Sequence, residues 1–136
     1  MQDPFEICKE WLTNEGINYE IDGDGDILLR YMMAYIYIIN PKKDAMFLQV
    51  MLPNFWSIKS EQEYLNALNA CNNVNMQQKW VRCFATKENV CLIADLLIDE
   101  ISDLVLFMGR VFNKLLLTRQ LFAEEMRKLQ TNIVSS

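Results

Sequence analysis

Between Leu104 and Phe122, twelve of nineteen residues are Leu, Val, Met or Phe. That is more apolar surface than a single helix ordinarily buries, because a helix lying on a globular core presents one apolar stripe about 100° wide. Leu104, Met108, Val111, Leu115 and Phe122 fill such a stripe, whereas Leu106, Phe107, Leu117 and Leu121 fall largely outside it. Any fold containing this helix has to cover the surplus with a sheet, with a second copy of the chain or with another protein. Arg110, Lys114 and Arg119 interrupt the run. It therefore falls short of the roughly 20 apolar residues that a membrane-spanning helix needs, and no membrane insertion is expected.

The chain has 136 residues, of which 51% are hydrophobic. This suits one domain over 1–136 with a real core and argues against disorder. A net charge of −5, with the positive charges scattered, gives no field that attracts a phosphate backbone, so nucleic acid is not an expected partner. The N-terminal Met1-Gln2-Asp3-Pro4 lacks the basic and apolar stretches of a secretory signal. The four cysteines, Cys8, Cys71, Cys83 and Cys91, form no C-x-x-C pair, and there is no histidine. The usual zinc spacings are excluded, and so are nucleophile-histidine catalytic arrangements. Each cysteine lies inside an apolar pattern, as a buried free thiol does. The expectation is four reduced core thiols in a cytoplasmic protein without a cofactor.

Asp3-Pro4-x-Glu6 reads as a helix start, with Asp3 as cap and Pro4 at the first helical position. Phe5, Cys8, Trp11 and Leu12 then recur at helical spacing, and Gly16 is placed to end the helix. Ile17, Tyr19 and Ile21 alternate with polar residues as a strand with one wet face. Asp22-Gly23-Asp24-Gly25-Asp26 is a tight turn by composition. The stretch Ile27–Ile39 reads as one long strand, apolar at every odd position and, from Met32 onward, at the even positions too. Such a strand would be covered on both faces. Met46, Leu48, Val50 and Leu52 mark a third strand, ended by Pro53. Ser60-x-x-Glu63 starts a second helix, marked by Tyr64, Leu65, Leu68, Cys71 and Val74. Strands at about Lys79–Ala85 and Val90–Leu97 follow, joined near Lys87-Glu88-Asn89. The third helix spans about 101–129, with a frayed end over 131–136.

The order is α-β-β-β-α-β-β-α. Short connections within each strand group require antiparallel pairing. The class is α+β, with three helices on a largely antiparallel five-stranded sheet.

Side chains that invite a chemical role are few. Asp22, Asp24 and Asp26 have the start of a calcium loop, but Ile27 and Met33 stand where an EF-hand needs Gly and Glu. No metal site is expected there. Asp95, in an otherwise apolar strand, is expected on the less covered sheet face. The run Asn66, Asn69, Asn72, Asn73 and Asn75 suits helix termination and loop ties. Trp11 reads as core, and Trp56 as the more exposed aromatic and the better binding candidate.

Several of these residues resemble a pattern found in the YbjN-type family, bacterial proteins described as sensory transduction regulators. The strongest match is Ala67-Leu68-x-x-Cys71-Asn72-x-x-Asn75, followed by a strand, a turn and Val90-x-Leu92-x-Ala94-Asp95-Leu96. The Asp22–Asp26 turn before a long strand also fits. The resemblance covers roughly residues 3–100, and the third helix matches by position only. The family's Gly-containing turn between the last two strands reads Lys87-Glu88-Asn89 here. The resemblance implies a fold like that of the type III secretion chaperones, a binding role and no catalytic residue.

The expected function is that of a non-enzymatic interaction module that self-associates, as a homodimer, or holds a protein partner. The expected surface joins Met32, Ala34, Ile36 and Ile38 of the sheet, Trp56, and Leu106, Phe107, Leu117 and Leu121 of the last helix. The alternative is a small-molecule or enzymatic domain whose pocket is lined by Tyr31, Tyr35 and Tyr37.

Overall fold

A computed structural model describes residues 3–42, 47–98 and 100–135. Helix α1 (Pro4–Asn14) is followed by strands β1 (Tyr19–Ile21), β2 (Ile27–Tyr31), β3 (Ala34–Ile39) and β4 (Phe47–Ser57). Helix α2 (Glu61–Gln77), strands β5 (Val81–Ala85) and β6 (Asn89–Leu97) and helix α3 (Ile101–Ser135) complete the chain. The sheet is antiparallel throughout, in the order β1-β2-β3-β4-β6-β5.

The helix starts form as the sequence predicts. Asp3 Oδ1 accepts from the Phe5 N–H at 3.0 Å, and Ser60 Oγ accepts from the Glu63 N–H at 3.1 Å. Neither acidic partner closes a reciprocal box. Glu6 pairs with Lys9, and Glu63 accepts from the Trp56 indole. Gly16 takes φ +73° just past α1, the left-handed conformation that glycine adopts without a Cβ penalty. Helix α3 continues to Ser135, past the expected end near Leu129.

The sheet has six strands, not five, because Ile27–Ile39 is two strands. Met32 and Met33 both have positive φ, 49° and 68°, and form a two-residue hairpin turn in which Tyr31 pairs with Ala34. That turn reverses the chain and keeps the paired residues on one face, so the inward parity changes from odd to even. Ile27 and Leu29 point to the core before the turn; Ala34, Ile36 and Ile38 do so after it. The double-sided apolar pattern is therefore two one-sided strands in sequence. Two-residue hairpins favour Asn-Gly at these positions, and Met-Met hid the turn.

Strand β4 passes through Pro53 where the sequence reading ends it. Its pairing with β6 shifts register between Leu52 and Trp56, and Asn54 adopts φ 53° inside the bulge. A bulge is a place where a strand tolerates proline, since the missing N–H is not needed for the ladder. Asn54 is held over β6, its N–H donating to Cys91 Sγ at 3.4 Å. The β5–β6 connection works without glycine. The Thr86 N–H donates to the Asn89 C=O at 2.8 Å, and Thr86 Oγ1 accepts from the Asn89 N–H at 3.1 Å. Leu48, Val50 and Leu52 face the core as expected, and Met46 lies outside the described residues.

All three helices lie on one side of the sheet. Helix α3 runs over β4, β5 and β6 with α1 and α2 packed beside it. Its stripe of Leu104, Met108, Val111, Phe112, Leu115, Phe122 and Met126 is buried against the inward residues of the strands. Phe112 meets Trp11 and Tyr31 ring to ring, and Phe122 meets Phe55 and Trp56. On the opposite side of the sheet, Tyr35, Phe47, Phe84 and Leu97 are exposed.

Candidate interaction surface

The apolar surplus of α3 divides in two. Phe107 packs edge-on against Trp80, with ring centroids 6.1 Å apart, and Leu121 lies half-buried against the core. Leu106 and Leu117 remain 57% and 46% exposed. They are eleven residues apart, three helical turns, and so share one side of the helix.

Beside Leu117 the surface is concave. The hairpin tip, the β4 bulge and α3 enclose an open groove of about 830 Å³ walled by Met32, Phe55, Trp56, Leu116 and Leu117, with Asn113 and Arg119 among its polar groups. Met32 is 70% exposed and Met33 is 85% exposed. The backbone that presents them is in a conformation that disfavours residues with a Cβ. Trp56 is half-buried rather than free: its Nε1 donates to Glu63 Oε1 at 3.2 Å and its ring rests on Phe122. One edge still faces the groove.

Other expected members of the surface sit elsewhere. Ala34, Ile36 and Ile38 are in the core beneath the helices, at 3% exposure or less, because the Met32–Met33 turn swings their parity inward. The three tyrosines do not converge on a pocket. Tyr31 faces the helices, touching Phe112 and donating to Asn113 Oδ1 at 3.1 Å. Tyr35 and Tyr37 belong to the other parity of β3, and Tyr35 is stacked under the Arg30 guanidinium on the open face.

The remaining polar candidates have structural partners. Asp95 is exposed on the open sheet face, between Arg82 at 2.7 Å and Gln49 at 2.8 Å. The carboxylates of Asp22, Asp24 and Asp26 lie within 4.8 Å of one another. Asp22 Oδ1 accepts from the Asp24 and Asp26 N–H groups, both at 2.9 Å, and Asp26 Oδ1 accepts from the Asn40 N–H. These bonds build the turn and tie it to the end of β3. Asn75 donates to the Cys83 C=O at 2.9 Å and accepts from its N–H at 2.8 Å. Sequence reasoning placed it as a loop tie without finding its partner, which is an edge-strand backbone eight residues away.

All four cysteines are buried free thiols. Burial, with Asp3 nearby, pushes Cys8 up to about 12. No helix among the described residues is long and apolar enough to cross a membrane.

No protein-family model matches the chain, and no curated protein matches its sequence. Solved structures do match its fold. YbjN from E. coli superposes with a TM-score of 0.61 at 8% identity, over 93% of this chain and 91% of that one. An uncharacterized protein from Methanothermobacter thermautotrophicus gives 0.59 at 16% identity, over 90% and 99%. The Yersinia pestis type III secretion chaperone SycH, solved in complex with a fragment of YscM2, gives 0.50 at 15% identity, over 85% and 98%. The chain therefore has a YbjN-like α+β fold, similar also to that of a secretion chaperone.

Proposed function

We propose that this protein is a non-enzymatic interaction module, chaperone-like or regulatory, that binds polypeptide through the outer side of α3 and the neighbouring hairpin tip, and that its first partner is a second copy of itself. The observation that carries the reading is the pair Leu106 and Leu117, left in water on one side of a helix whose other side is already saturated with core contacts. Burying side chains of this size yields about 1.5–3 kcal/mol each, and the groove with Met32 and Trp56 offers adjoining apolar area. The similarity to SycH, which was solved with a protein fragment, supports a protein-binding use of the fold. A cytoplasmic setting suits this reading.

Light scattering at micromolar concentration tests it. The expected mass is twice 16.0 kDa, and L106E/L117E is expected to be a monomer with an unchanged circular dichroism spectrum. A wild-type mass near 16 kDa with no partner added overturns self-association. Loss of folding in the variant means that these leucines serve the monomer's own core.

A further inference from the structure

Cys71 and Cys83 meet where α2 crosses the edge strand β5, with their sulfurs 3.4 Å apart. Both are nearly closed to solvent, at 6% and 2% exposure. Asn75, one turn along α2 from Cys71, grips the backbone of Cys83 with both ends of its amide. The two backbones that carry the sulfurs cannot separate without breaking both of those bonds. A disulfide needs sulfurs at about 2.05 Å. Closing it from here takes an approach of roughly 1.4 Å, within the reach of side-chain rotation.

We propose that Cys71 and Cys83 are a two-electron oxidation site, closed to an α2–β5 disulfide by a peroxide and reopened by a dithiol reductant. The inference stands apart from the interaction reading. Cys71, the more exposed residue of the two, attacks. One of the two sulfurs donates its S–H to the other, and that contact holds the Cys71 thiol below its ordinary range. The same contact and burial push Cys83 up. The Cys71 thiolate attacks one oxygen of hydrogen peroxide and the O–O bond breaks. The hydroxide formed takes up the proton released by Cys71 and leaves as water, and Cys71 is now a sulfenic acid. The Cys83 sulfur then attacks the Cys71 sulfur. The S–S bond forms, the S–O bond breaks, and the departing hydroxide leaves as water with the Cys83 proton. Two thiols are oxidised by two electrons in all, and one peroxide is reduced to two waters. Cys8 and Cys91 are internal controls. Cys8, on the inner side of α1, is shut in the core, and Cys91 is turned toward Asn54.

The experiment treats the intact, pre-reduced chain with equimolar hydrogen peroxide, blocks the remaining thiols, digests and measures peptide masses. The expected result is a fall from four free thiols to two and a Cys71–Cys83 linked peptide two hydrogens lighter than its parts. Dithiothreitol should reverse the change. The oxidised protein should melt higher, by about 10 °C, because the unfolded chain now carries a closed loop. The link should vanish in C71S and in C83S, and persist in C8S and C91S. Should C83S fail to fold, C83A takes its place, with circular dichroism as the check. Four thiols surviving the treatment overturn the proposal. So does a sulfinic acid at Cys71 beside an intact Cys83 thiol, or a link that joins any other pair.

Discussion

Asn75 shows how much one side chain can decide. An edge strand exposes backbone N–H and C=O groups that another chain can pair with. Asn75 occupies such a pair at Cys83, in the middle of β5, and the next outward N–H in that strand, at Val81, bonds to the Lys79 C=O. N75A removes two hydrogen bonds and is expected to lower stability by about 1–2 kcal/mol in urea unfolding, and to raise concentration-dependent aggregation. Cys8 carries a different expectation. Its thiol is raised from 9.0 to about 12 in the folded state. The folded protein thus holds that proton more tightly than the unfolded chain does. The associated stability is complete below pH 9 and declines between pH 9 and 12, with a limiting slope of about 1.4 kcal/mol per pH unit. Urea midpoints at pH 8 and pH 10.5 should differ less in C8A than in the wild type.

At the scale of elements, the β2–β3 hairpin is the part that the sequence concealed. Its residues all carry a strand pattern, but its reversal does not show in the sequence, because Met32-Met33 carries none of the Gly, Asn or Asp signals of a two-residue turn. One signal was present. The buried partners run Ile27, Leu29 and then Ala34, Ile36, Ile38, a change of parity that a single straight strand with one covered face cannot show. Left-handed backbone costs about 1–2 kcal/mol per residue with a Cβ. Replacing both positions, M32N/M33G, is expected to stabilise the monomer by about 1–2 kcal/mol in urea unfolding and to weaken self-association in light scattering. Opposite signs in the two measurements would separate a turn strained for folding from a tip kept for binding. Pro53 hides the middle of β4 for a related reason. Composition marks it as a strand end, and only the pairing of β4 with β6 shows that a bulge absorbs it.

For the whole molecule, the α+β class, the helix order and the buried stripe of α3 were legible because periodicity is local and burial follows it. The fate of Leu106, Phe107, Leu117 and Leu121 was not. It depends on whether Trp80 and the core happen to lie beside them, which is a matter of tertiary placement. Of the expected surface, Met32, an edge of Trp56 and Leu117 line one groove, Leu106 is exposed three turns along α3, and Ala34, Ile36 and Ile38 are in the core. Phe122 joins the two halves of the chain, touching Phe55 and Trp56 from α3. F122A is expected to cost about 3–5 kcal/mol, as one cooperative loss in which the Trp56 environment and the helical signal change together on denaturant titration.

The Asn75 clip also gives the sheet a direction of growth. One border is occupied by a side chain from its own molecule, and the other ends in the three residues of β1. Two molecules joined border to border along β1 would each present a clipped β5 outward. Pairing of that kind would close at two where Asn75 holds the β5 border at Cys83. A single amide thereby limits the valence of the sheet.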